Sequence, residues 1–261
     1  MSEMNPLLAK LKLPGRVFQL PSAGALYQDG VFDESVQNGE IQVHPMSAMD
    51  EINLKNPDLL FNGQALEKVL AECVPSIKKP LELFARDVDA ILFFLRISTY
   101  GPNFQVDVKH TCKEAKSHSY VVNVENQVMN MKRLDPTMIT VMNKVQIGDQ
   151  AVVTRPLKYV DLVKIFTLSG MKKDSLNEDD LKQIAVVNIL SMIDNVDGVS
   201  DQKFIEEWVR RLTSPQINRI IESSKVLNDW GPSPNVTLKC KDCGEDMMVE
   251  LPLNPVSFFT E

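Results

Sequence analysis

The sequence has little histidine, cysteine or tryptophan: three, four and two residues, respectively, in 261. Three histidines leave small room for a histidine-rich catalytic metal centre. Four cysteines fall short of the disulfide framework that holds a small secreted domain together. No apolar run approaches the roughly 18 residues of a membrane-spanning helix. The longest, Ile91-Leu92-Phe93-Phe94-Leu95, is bracketed by Asp87, Asp89 and Arg96, as in a buried helix of a globular body. Residues 1–14 contain no apolar stretch of signal-peptide length, so the cysteines are expected to be reduced or metal-bound in a cytosol, the cell's own or a host's. Positive charge is short too. The sum is 28 Lys and Arg against 35 Asp and Glu, a formal −7, which lacks the electrostatic footprint of a nucleic-acid or anionic-membrane binder. Glycine-rich nucleotide loops, a Gly-x-Ser-x-Gly elbow and an HExxH helix are all missing, and with them the common catalytic constellations. The chain is expected not to be an enzyme.

What is present is an ordinary globular composition, 44% hydrophobic and 24% charged, with enough apolar material for a sizeable core. Residues 1–60 are broken by Pro6, Pro14, Pro21, Pro45 and Pro57 and by Gly15, Gly24, Gly30 and Gly39. They read as an extended N-terminal arm with short strands at 16–20 and 40–43. Residues 61–261 read as a single mixed α+β body, mainly helical. A helix opens at Asn62-Gly63 and ends before Pro75. Another spans about 80–98, where Val88, Ile91, Leu92 and Leu95 keep the helical apolar period. After a strand pattern at 144–154, helices are expected from Pro156, from an Asn177 cap, from a Ser200 cap and from Ser214-Pro215. The helix after Asn177 is apolar nearly all round, which predicts a central position. Asp194-Asn195-Val196-Asp197-Gly198 resembles the start of an EF-hand loop, but Ile205 stands where the bidentate glutamate belongs. It reads as a turn between helices. Met129, Met131, Met138 and Met142 serve either as core filler or as an adaptable binding face. Cys73, on an apolar helix, reads as packing.

Two β-hairpins, at 103–125 and 235–253, are the informative feature. In the first, Phe104, Val106 and Val108 alternate toward one face, and Tyr120, Val122 and Val124 do so on the return. The second runs Val236-Thr237-Leu238-Lys239 into Cys240-Lys241-Asp242-Cys243-Gly244 and returns through Met247–Leu251. Two residues between thiolates let both sulfurs meet one ion, and the glycine supplies the positive φ that closes the turn. This is half of a zinc-knuckle site. The first hairpin offers the other half in Cys112 and His118, with His110 in reserve. The predicted ligands of a structural Zn²⁺ are therefore Cys112, His118, Cys240 and Cys243. A redox CxxC would sit where a strand feeds a helix, and here strands flank it on both sides.

A series of short motifs carries a resemblance. Leu13-Pro14 precedes a strand, followed by His44-Pro45-Met46, Asp50-Glu51, Leu54, Asn56-Pro57-Asp58, Asn62-Gly63 and Cys73. Then come Asp87 and Asp89 on a helix, Arg96 leading to Tyr100-Gly101, a Cys/His hairpin, CxxC, Pro252-Leu253 and Phe258-Phe259. In this order, over nearly the whole chain, they resemble the T4-type bacteriophage baseplate hub assembly proteins. The resemblance implies a protein that promotes or forms part of the baseplate central hub by binding other hub or tail proteins, and that can act as an oligomer. It would work in the host cytoplasm during assembly or in the virion baseplate, without nucleic acid or membrane as partner. Relatives often carry a fuller CxxC in the first hairpin, where this chain has His110-Thr111-Cys112 and a more distant His118. A zinc-ribbon module contacting nucleic acid is the alternative, opposed by the net charge and by Asp242, Glu245 and Asp246 beside the knuckle.

Overall fold

The computed structural model describes residues 14–56, 59, 63–112, 116–170, 177–253 and 258–259. Strand β1 (Arg16–Gln19) pairs antiparallel with β2 (Glu40–Val43), Arg16 opposite Val43. In the loop joining them, Gly39 lies so close to the chain at Ala23 that a Cβ there would sit 2.5 Å from a backbone carbon, at a φ of +69°. Only glycine fits. Helix α1 (Ala48–Lys55) starts at a capping box: the Ser47 hydroxyl accepts from the Asp50 amide while the Asp50 carboxylate accepts from Ser47 N–H. Helix α2 (Gln64–Cys73) buries Leu66, Val69, Leu70 and Cys73. After a 3₁₀ turn at Pro80–Glu82 comes α3 (Ala85–Tyr100), which Gly101 ends at φ +82°. Strands β3 (Asn103–Lys109) and β4 (Ser117–Asn123) form the first hairpin, with Val106 opposite Tyr120 and Val108 opposite His118. Helices α4 (Glu125–Met129) and α5 (Pro136–Met142) follow, the latter capped by Asp135. Next come β5 (Lys144–Ile147), β6 (Gln150–Thr154), α6 (Tyr159–Gly170), α7 (Glu178–Ser191) and β7 (Ile193–Val196). The order β5-β6-β7 makes one antiparallel three-stranded sheet. Helices α8 (Gln202–Val209) and α9 (Ser214–Leu227) precede the second hairpin, β8 (Asn235–Lys239) with β9 (Asp246–Glu250), Leu238 opposite Met247. The fold is mixed α+β.

Several expectations are corrected. Residues 14–56 do not form an arm standing apart. Leu20, Val31, Ile41, Val43 and Leu54 are buried in the same core as α2 and α3. The proline and glycine breaks mark tight turns around apolar anchors, and α1 went unread because only Asp50 and Leu54 of its residues are buried, too few to set a period. Residues 144–154 are two strands, reversed at Gly148, where φ is +60°. The helix expected from Pro156 starts only at Tyr159, because residues 157–159 bond the extended segment before α3: Ala85 N–H donates to Leu157 O and Tyr159 N–H to Leu83 O. Asp194–Val196 belongs to a strand, and the expected turn is confined to Asp197-Gly198, both at positive φ. Asn177 caps α7 with a reciprocal Asp180 bond, as read. That helix is not central, however: Leu181 is exposed, and its buried residues are Ile189 and Ser191. The caps of α8 and α9 are Asp201 and Thr213, each one position from the serine expected.

The helix buried on every side is α3, from Ala85 and Val88 through Phe93, Phe94 and Ile97. Phe18 stacks on Phe94 with ring centroids 4.5 Å apart, and Phe258 meets Phe93 edge-on. Around it the main core gathers residues from the first segment, the β3–β4 hairpin, the β8–β9 hairpin and Phe258-Phe259. A second core, built from Ile147, Val152, Ile189, Ile193, Ile205, Val209 and Ile220, lies in the intervening stretch of chain. Phe84, Leu134, Ile139, Leu227 and Trp230 form a smaller cluster of their own. These cores divide the chain differently from the boundary at residue 60.

Candidate metal centre

Alternation fixes what each hairpin carries at its tip. On β3, Phe104, Val106 and Val108 are the shielded positions, and the same phase continues two residues on to His110. On β8, Val236 and Leu238 are shielded, and the phase continues to Cys240. Past these strand ends the chain turns back, placing Cys112 and Cys243 beside them. The ligand atoms of His110, Cys112, Cys240 and Cys243 all lie within 4.8 Å of one another. Cys243 Sγ is 3.4 Å from His110 Nδ1. Tetrahedral Zn–S bonds of about 2.3 Å place two sulfurs about 3.8 Å apart, so this spread suits one four-coordinate ion. Three sulfurs and an imidazole, carried on two strand–turn–strand segments, make a donor set of the Cys₃His type close enough to hold a metal ion.

The second turn is organised around the Cys240 sulfur. The amides of Cys243 and Asp242 donate to it and lower its pKa to about 7, with smaller contributions from the Cys243 and His110 side chains. Cys240 N–H donates to Glu245 O and Gly244 N–H to Cys240 O, closing the knuckle, with Gly244 at φ +75°. At Cys243 the Glu245 amide pulls the pKa down, but burial and the neighbouring Cys240 and Cys112 sulfurs outweigh it and the net shift is upward. One thiolate is favoured and a second is resisted, as expected where sulfurs crowd together. A divalent ion reverses that balance by stabilising every thiolate it touches.

Of the predicted ligands, the structure brings Cys112, Cys240 and Cys243 together, and it supplies His110 as the fourth in place of His118. The cross-strand register explains the exchange. His118 pairs with Val108, a full step down the hairpin from the tip, and its Nε2 lies 2.8 Å from Asp242 Oδ1. The alternating phase sets His110 in line with Phe104, Val106 and Val108, but it sets His118 in line with Tyr120 and Val122 on the same face, so register and not phase separates the two.

With this geometry in view, comparison with known proteins places the chain. A family model described as T4 bacteriophage base plate protein matches residues 34–260. The chain belongs to that family. No curated protein and no solved structure matches this base plate protein. The match takes in both hairpins, the second core and the main core apart from its residues before position 34. Many of the motifs behind the resemblance converge on α3 of the base plate protein rather than on the metal centre. Asp87 accepts from Ser22 N–H and from the Tyr27 hydroxyl. Arg96 donates to Phe258 O and lies over the rings of Tyr100 and Phe104, while the Tyr100 hydroxyl donates to Phe259 O. His44 N–H donates to Cys73 O, and Cys73 is buried. Leu13, Pro57, Asp58 and Asn62 lie outside the described residues. Among the described residues, no helix is long and apolar enough to cross a membrane.

Proposed function

We propose that this base plate protein acts without catalysis, promoting or forming part of the baseplate central hub by binding other hub or tail proteins, in the host cytoplasm during assembly or in the virion. We further infer that His110, Cys112, Cys240 and Cys243 hold one structural Zn²⁺ that ties the hairpin tips together. The observation that carries the metal reading is the 4.8 Å convergence of four soft-ligand atoms contributed by two hairpins far apart in sequence. Family membership and exposed apolar side chains support the binding role. Of the four methionines between 129 and 142, Met131 is buried, whereas Met129, Met138 and Met142 are exposed, together with Val141. Thioether side chains on a surface adapt to a partner's shape.

Tagged protein recovered from infected cells tests the assembly role. Baseplate hub or tail proteins are expected to co-purify, identified by mass spectrometry. Recovery of the protein alone, or salt-dependent binding to DNA at submicromolar affinity, would overturn it in favour of a free or nucleic-acid-bound protein.

A further inference from the structure

We propose that the two hairpins are docked by residues flanking the ligands rather than by the ion, and that His118 is a positioning residue for the Cys240–Cys243 turn. This rests on reading the four-residue cluster as a metal centre, but its geometry is separate from the ligand set. The two residues between Cys240 and Cys243 are Lys241 and Asp242. Here both are anchored on β4. Lys241 N–H donates to the Tyr120 hydroxyl at 3.0 Å, and its ammonium donates to Ser119 O at 2.6 Å while lying 4.8 Å from the Tyr120 ring centroid. Asp242 Oδ1 meets His118 Nε2 at 2.8 Å. Three consecutive residues of β4 therefore each hold one of the two turn residues.

The His118 contact is the one whose loss cannot be made good by water. The Asp242 side chain is only 12% exposed, and its Oδ2 is buried with no hydrogen-bond partner among the described residues. Without the imidazole, a shielded carboxylate has no donor, which is costlier than losing an exposed bond. The turn must then shift toward solvent, and with it Cys240 and Cys243 on either side, along with the amides that hold the Cys240 sulfur. Partners of this kind, one shell out from a metal, typically change its affinity 10- to 100-fold. Because the hairpins are already joined, an ion meets a formed site, and little ordering remains to be done on binding.

The test is a Co²⁺ titration of the full chain at neutral pH, in competition with a chelator. Visible bands report the donor set, and hydrogen exchange follows the Lys241 amide in chelator-treated protein. His118→Ala and Tyr120→Phe are expected to weaken Co²⁺ roughly 10- to 100-fold with unchanged bands. His118→Gln, which keeps a donor for Asp242, is expected to restore affinity to within a few-fold of the parent. His110→Ala is expected to change the bands themselves. The Lys241 amide should be protected in metal-free parent protein and lose protection in Tyr120→Phe. Unchanged affinity in His118→Ala, or bands altered as in His110→Ala, would overturn the positioning role, the latter by making His118 a ligand. If the parent binds no Co²⁺, the metal reading falls and the exchange data alone decide the docking. A protected Lys241 amide would uphold docking, and exchange at the rate of a free peptide would refute it.

Discussion

Asp87 has no exposed surface and accepts from Ser22 N–H and the Tyr27 hydroxyl. Burial raises its pKa to about 6, against the pull of hydrogen bonds from Ser22 and Tyr27 and of the more distant Arg133. A carboxyl whose folded pKa lies above its unfolded value contributes stability that is complete below the unfolded value, near 4, and is lost as pH rises through 6. This group therefore makes the protein more stable at pH 5 than at pH 7, by roughly 1 kcal/mol. Asp33 and Asp135, lowered by hydrogen bonds from Ser35 and Thr137, lose their contributions only as pH falls below the ordinary carboxylate range, outside that window. In Asp87→Asn this part of the pH dependence should vanish. Denaturant melts of the parent and variant at pH 5 and 7 measure it, and parallel pH slopes would refute the assignment.

Among the elements, α5 is lightly held. Ile139 is its one buried residue, packed with Phe84, Leu134, Leu227 and Trp230, while Met138, Val141 and Met142 face outward. A helix this short has little stability of its own. Ile139→Ala is expected to cost about 2–4 kcal/mol locally, seen as faster hydrogen exchange at 138–142 with α3 unchanged; unaltered protection of α5 would show that it is anchored elsewhere. The legibility of each element followed the same physics. The hairpins and α2 were readable because one face of each is shielded, which imprints the period on the sequence. Helix α1, the start of α6 and the setting of α7 were not, because capping bonds or contacts with distant chain decide them. At the metal centre the cysteines were readable from spacing. The choice between His110 and His118 depended on cross-strand register and on Asp242, which no local pattern records.

For the molecule as a whole, the arrangement of cores explains why an ion would act as a local staple. Structural zinc supplies on the order of 10–16 kcal/mol in small peptides that have little else. Here α3 already buries apolar side chains on all sides, and a second core stands on residues 147–220. The hairpins are rooted in the main core through Phe104, Val106, Val122 and Val236, so only their tips depend on the His110–Cys243 cluster. The same cluster is where the first and second hairpins, separated by the whole second core in sequence, are brought to one point. Native mass spectrometry of protein purified near pH 7.5 without chelator tests this most directly. One zinc ion per chain is predicted, kept in His118→Gln and absent in Cys240→Ser. A metal-free parent, or a Cys240→Ser variant that retains its zinc, would contradict the assignment of a single ion to His110, Cys112, Cys240 and Cys243.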